Sequence, residues 1–107
     1  MLSARPDHYR LSPKSLDDLD DIWRYTAEFW SVDQADNYID DLANALETLV
    51  GMPSLGREYT EFNPPVRILI HNQHLVVYMV NIDHISVLRF LGGRQNWRAI
   101  LAVLDRD

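Results

Sequence analysis

The apolar residues of this chain change their repeat once, and that change divides the sequence into a helical half and a stranded half. From Leu16 to Leu49 they recur at intervals of three and four, which gives a helix a single apolar face. From Val66 to Leu91 they come in short runs rich in β-branched and aromatic residues, the composition of strands. A segment patterned for one period has no stable arrangement in the other, so the order of elements is constrained before any single residue is interpreted.

The helical half has two starts. Ser12-Pro13 supplies an N-cap followed by proline at the first helical position, and Leu16, Leu19, Trp23, Thr26 and Trp30 form a stripe behind it, with Ile22 and Phe29 beside them. Ser31 and Gln34 have the spacing of a capping box, and Ala35, Tyr38, Ile39, Leu42, Ala45, Leu46 and Leu49 continue at helical spacing to Gly51, the expected left-handed C-cap before Pro53. Two helices with almost no connector predict an antiparallel hairpin over residues 13–50. Ahead of it, Tyr9-Arg10-Leu11 alternates as a short strand does. Pro53, Gly56, Asn63, Pro64 and Pro65 predict a surface loop over residues 52–65. Strands are expected at residues 66–71, 75–82 and 85–91, and a short final helix at residues 97–104. The middle strand is apolar on both faces, so both faces of the sheet need cover. The hairpin covers one face and the final helix only part of the other. The remainder is filled either by a partner or by the domain's own burial of its central strand. The fold class is α+β, a helical hairpin packed on an antiparallel sheet.

With 107 residues there is room for one hydrophobic core, hence a single domain over residues 1–107. Cysteine is absent, which excludes disulfides and thiolate metal sites. The start of the chain lacks an apolar stretch of signal-peptide length and no segment has the length of a membrane span, so a cytoplasmic location is expected. The net charge of −6 is unevenly spread. The first 50 residues carry 11 acids against 4 bases, whereas residues 51–107 carry 5 acids against 6 bases. Lys14 is the only lysine, which disfavours extended nucleic-acid binding, because that needs clustered cations to neutralise phosphates.

Arg89, Arg94 and Arg98 gather near the C-terminus with Trp97 among them and Gly92-Gly93 permitting a sharp exit from the strand. Arginine forks recognise carboxylate or phosphate and stack on aromatic rings. The same arginines also suit ion pairs to the acidic hairpin. Trp23, Phe29 and Trp30 span more than one helix face, so core packing and service to a partner both stand for these rings. Asp17, Asp18, Asp20 and Asp21 give the first helix a field of one sign. His8, His71, His74 and His84 lack the spacing of a metal site, and the paired aspartates diverge along a helix surface, so neither a metal nor a hydrolytic centre is expected. Glycine-rich phosphate loops and nucleophile motifs are lacking, and no cofactor is implied.

The order of elements and several local motifs resemble the ParE toxin family of the RelE/ParE superfamily. The resemblance is carried by Tyr9-Arg10-Leu11-Ser12-Pro13, Leu19-Asp20-Asp21-Ile22-Trp23-Arg24-Tyr25-Thr26, Pro53-Ser54-Leu55-Gly56-Arg57, Val66-Arg67, Val77-Tyr78 and Val87-Leu88-Arg89-Phe90-Leu91-Gly92-Gly93-Arg94. It implies the toxin of a type II toxin–antitoxin pair, neutralised in a hetero-oligomer by a cognate ParD-like antitoxin, with DNA gyrase as the target and growth arrest without catalysis as the outcome. The related RelE-like toxins cut messenger RNA on the ribosome. This chain departs from them: Arg67 and Arg94 match two basic positions, but the lysine-rich segment is lacking and no tyrosine follows Arg94. A ribosome-dependent nuclease and a toxin-like interaction module without toxicity are the alternatives. Within the gyrase reading, Arg89, Arg94, Trp97 and Arg98 are the expected target-binding residues. Trp23, Phe29, Trp30, Asp17, Asp20 and Asp21 are the expected antitoxin-binding residues.

Overall fold

The computed structural model describes residues 5–104. Residues 1–4, read above for a leader segment, lie outside the described residues. The order is β1 (His8–Leu11), α1 (Pro13–Phe29), α2 (Val32–Gly51), a 3₁₀ turn (Pro53–Leu55), β2 (Arg57–Tyr59), β3 (Val66–His71), β4 (His74–Val80), β5 (His84–Gly92) and α3 (Trp97–Leu104). The strands form one sheet in the order β1-β5-β4-β3-β2. β3, β4 and β5 pair antiparallel as the sequence predicts and β2 adds to them antiparallel at one edge, while β1 runs parallel to β5 with His8 opposite His84 and Leu11 opposite Val87, so the sheet is mixed rather than wholly antiparallel. The hairpin carries the chain from β1 at one edge of the sheet to β2 at the other, and β3, β4 and β5 then return it to lie beside β1.

Both helix starts form as their residues dictate. Ser12 accepts the Ser15 N–H at 3.0 Å and Ser31 accepts the Gln34 N–H at 3.0 Å, each satisfying an amide that the first helical turn leaves without a partner. The end of α2 differs from expectation. Gly51 stays helical, and the cap is Met52 at φ −142° and ψ 76°, with its N–H bonded to Thr48 O. The ring of Pro53 excludes helical geometry at the residue before it, so the helix stops without a left-handed glycine. The stripe of α1 also differs. Ser15 and Ile22 are buried, whereas Leu16 and Trp30 are 52% and 71% exposed. Burial of Ser15 is possible because its hydroxyl donates to Ser12 O at 2.8 Å, leaving no unpaired polar group.

The sheet has apolar cores on both faces. Ile22, Leu42, Leu46 and Leu49 of the hairpin pack with Val76, Tyr78, Ile85, Val87 and Phe90. On the opposite face Phe62, Val66, Ile68, Leu75, Val77, Leu91 and Leu101 pack together. The alternation along β4 therefore feeds both cores, and its central residues are buried within the domain.

The segment read as loop holds the short edge strand β2, which pairs with the first half of β3. Three residues are too few to show an alternating pattern. This segment is tied down by Tyr78. Its hydroxyl donates to Pro53 O at 2.7 Å and accepts the Gly56 N–H at 2.8 Å, and Arg67 Nη1 donates to Gly56 O at 2.7 Å. Burial raises the Tyr78 pKa, against the opposing pull of the Gly56 N–H and the Arg67 charge. A Cβ on Gly56 would lie 2.6 Å from that hydroxyl, so close approach demands glycine there.

Tyr78→Phe removes the hydroxyl and leaves the buried Gly56 N–H without an acceptor. Equilibrium urea unfolding is expected to show a loss of about 1–3 kcal/mol, the cost of an orphaned buried donor. A loss below about 0.5 kcal/mol would show that the segment is held by other contacts.

Candidate functional site

Three surface regions collect the residues with chemistry to offer. The first lies at the C-terminal end of β5. Arg94 is exposed in the turn before α3 and forms no ion pair among the described residues. Trp97 packs edge-on against Tyr59 at 5.3 Å between ring centroids and tilts toward Phe62 at 6.5 Å. The Arg98 guanidinium stacks 4.2 Å from the Trp97 ring and pairs with Glu61 at 3.1 Å, while Arg57 lies 5.4 Å from the Tyr59 ring. The structure thus brings Trp97 and Arg98 together with Arg57, Tyr59 and Phe62, which the sequence reading did not single out. The only local hint was the spacing Arg57-x-Tyr59-x-x-Phe62, arginine and aromatics in close succession.

Arg89, expected in the same target-binding group, does not join them. Its Nε and Nη2 donate to Asp18 Oδ2 and Oδ1 at 2.7 and 2.8 Å, and Asp18 also accepts the Phe90 N–H at 2.9 Å. The two side chains are only 19% and 11% exposed. These hydrogen bonds raise the Arg89 pKa, against the desolvation of its charge. Arg67 is likewise bound to the backbone of the 53–56 segment. Of the arginines on the central strands, neither presents a free fork.

The second region is an apolar groove of about 430 Å³ on the sheet face opposite the hairpin. Val66, Met79 and Leu88 form its floor, Leu101 and Pro64 its walls, and Ser12, Pro13 and Lys14 its rim. It exists because α3 has eight residues and covers only part of that face, the shortfall expected from the sequence.

The third is a cleft of about 640 Å³ at the far end of α1, walled by Tyr25 and Thr26 of α1 and its C-cap Trp30, by Gln34, Asn37, Tyr38 and Asp41 of α2, and by the turn Asn72, Gln73 and His74. Asn72 holds the turn in left-handed geometry at φ 53°, a conformation asparagine tolerates. The Tyr38 hydroxyl lies 2.6 Å from His74 Nδ1. Burial lowers the His74 pKa, with the neighbouring His71 acting in the same direction, so its ring is neutral at neutral pH. Burial also raises the Tyr38 pKa.

Among the expected antitoxin-binding residues, Phe29 and Trp30 are 63% and 71% exposed. Trp23 is half-buried and its indole N–H donates to Asp36 Oδ1 at 2.8 Å, so this ring bridges the two hairpin helices. Asp20 pairs with Arg24 at 2.8 Å one turn away, and Asp17 and Asp21 are exposed.

Two measurements check this allocation. Asp18→Ala strands the Arg89 charge and the Phe90 N–H in a nearly buried setting, so chemical denaturation is expected to show a loss of about 3–5 kcal/mol. A loss below about 1 kcal/mol, typical of exposed pairs, would show that the pair is solvated. For His74, the folded pKa lies below the ordinary 6.5, so folding disfavours its protonation and stability falls as pH drops below that value. His74→Gln is expected to lose less thermal stability than the native chain between pH 7.5 and 5.5. Parallel pH profiles for the two proteins would remove His74 from that dependence.

Comparison with known proteins places this geometry. The family model described as "ParE toxin of type II toxin-antitoxin system, parDE" matches residues 9–97, so Arg98 and the rest of α3 lie beyond the match. The chain is 33% identical over 93 residues to Toxin ParE1 of Caulobacter vibrioides, covering 87% of this chain and 96% of that protein. It is 35% identical over 89 residues to Toxin ParE1 of Mycobacterium tuberculosis, covering 82% and 91%. A solved structure of the chromosomal ParDE toxin–antitoxin system from P. aeruginosa superposes with a TM-score of 0.71 at 20% identity, over 84% of this chain and 98% of that one, a likeness of fold. Sequence and architecture agree, and this chain belongs to the ParE toxin family of type II toxin–antitoxin systems.

Proposed function

We propose that this protein arrests growth by binding and inhibiting DNA gyrase, without performing a reaction itself, and that a cognate antitoxin neutralises it by occupying the apolar groove. The observation that carries the reading is the division of the arginines. Arg67 and Arg89 are bound within the domain, while Arg94, exposed in the turn that leads into α3 and its Trp97–Arg98 stack, forms no ion pair among the described residues. A nuclease acting on a phosphodiester needs several preorganised cations around the scissile phosphate. The sheet offers no such group among the described residues. An exposed arginine beside a stacked aromatic is the chemistry of an anchor in a protein interface. The groove of Val66, Met79, Leu88 and Leu101 suits the apolar side of a segment that is disordered when free, because such a segment gains its binding energy by filling surface of this kind.

Expression of the chain alone is expected to stop growth, and co-expression with the neighbouring antitoxin to restore it. In purified assays, gyrase supercoiling should be inhibited while translation proceeds. Inhibited translation with intact supercoiling would instead establish the ribosome-directed alternative. Arg94→Ala is expected to abolish growth arrest, and arrest that survives both this change and deletion of residues 97–107 would place the toxic determinant elsewhere. Met79→Glu sets a charge in the groove floor and is expected to weaken antitoxin binding at least about tenfold, since apolar contact is replaced by an unpaired charge. Undiminished affinity in this variant, with an unchanged circular dichroism spectrum, would remove the groove from the antitoxin interface.

A further inference from the structure

The cleft between the hairpin and the β3–β4 turn lies at the opposite end of α1 from the groove, and its chemistry is different. Between Tyr25 and Asp41 there are five acids, Glu28, Asp33, Asp36, Asp40 and Asp41, and no lysine, arginine or histidine. The last turn of α1, where the backbone dipole gathers negative charge, carries no basic side chain. Tyr25, Phe29 and Trp30 are each more than 60% exposed, with the Tyr25 and Phe29 rings 4.6 Å apart. Among the described residues no cation stacks on these rings, and exposed aromatic faces near a carboxylate attract a cation. Asp41 lines the cleft together with Tyr25, Trp30 and Tyr38.

We propose that this cleft receives an arginine side chain from a basic stretch of the cognate antitoxin, its guanidinium stacked on Trp30 or Tyr25 and forked to the Asp41 carboxylate. The inference rests on the antitoxin reading above and adds a second dock to it. Arginine suits the cleft better than lysine, because a planar guanidinium stacks on rings and bonds a carboxylate with two parallel donors at once. The wall formed by His74 adds no opposing charge at neutral pH, since burial keeps its ring neutral. Asn72, Gln73, Gln34 and Asn37 complete the rim with neutral amides. Helix α1 joins the two docks, with Pro13 at the groove and Trp30 at the cleft. Its 17 residues span about 25 Å at the helical rise, a distance that roughly eight extended residues cover. One continuous antitoxin segment is therefore long enough to fill the groove with apolar residues and reach the cleft with a basic one.

The test uses the full chain and two kinds of ligand. Titration with N-acetyl-arginine methylamide, followed by NMR at the Trp30 indole and the Asn72, Gln73 and His74 amides, is expected to give saturable shifts. The neutral isostere N-acetyl-citrulline methylamide should give none. Asp41→Asn and Trp30→Ala, both at exposed positions, should each weaken arginine binding at least fivefold and antitoxin binding at least tenfold. Both effects should shrink as salt rises, as a charge contact requires. Equal shifts from both probes, or arginine shifts confined to the surface around Asp17, Asp20 and Asp21, would overturn the site. So would an antitoxin that binds the native chain and both variants alike, which leaves the antitoxin reading standing and removes only the cleft. An antitoxin that fails to bind the native chain overturns both readings together.

Discussion

One irregularity in β5 organises the rest of this domain. Val77 pairs with Arg89 and Tyr78 with Val87, so Leu88 is an extra residue, a bulge in the ladder between β4 and β5. A bulge leaves backbone groups of its strand without a partner across the ladder, and these need partners elsewhere. Here the cap and first turns of α1 supply partners to β5 beyond the end of β1 at Leu11. Ser12 Oγ donates to Leu88 O at 2.8 Å, and Asp18 accepts the Phe90 N–H while holding the Arg89 fork. The Ser12 N–H also bonds to Val87 O. Residues that cap and open α1 thus complete β5, and neither element is fully satisfied without the other. The bulge also directs Phe90 into the hairpin-side core and Leu91 into the opposite one.

That latch decides which charges remain for function. Asp18 belongs to the acidic run of α1 and Arg89 to the C-terminal arginine group, and bringing α1 onto β5 cancels one against the other. What survives is a polarised molecule. The turn end of the hairpin keeps uncompensated carboxylates and exposed rings, while the α3 edge keeps Arg94 and the Trp97–Arg98 stack.

The apolar surface is divided in the same way. The hairpin closes one face of the sheet, whereas α3 leaves Met79 and Leu88 at the floor of an open groove on the other. A small domain that leaves such a face open forgoes some burial of its own, and a partner that fills it stabilises the folded state by mass action. In a toxin–antitoxin pair, neutralisation and stabilisation are then outcomes of the same contact.

Much of this was legible in the sequence, because it depends on neighbours along the chain. Helical and strand periods, the Ser12-Pro13 and Ser31-x-x-Gln34 caps, the two-faced apolar pattern of β4 and the short reach of α3 are all local facts, and the elements they mark formed within two residues of the expected bounds, the strand expected at 75–82 running from His74 to Val80. The ends of elements were less legible: Gly51 looked like a left-handed cap until the constraint of Pro53 on Met52 took precedence, and β2 was too short to announce itself. The sites were less legible still. Arg89 and Arg94 are five residues apart and alike in sequence, yet one is locked to Asp18 across 71 positions and the other is free. Trp23 lies within α1 and Trp30 caps its end, yet one bonds Asp36 and the other faces solvent. Sequence by itself determined what the elements are, since periodicity and capping act within a few residues. Which side chains are left over for partners was decided only by the tertiary structure, because pairing depends on which residues meet in space and spacing along the chain does not carry that information.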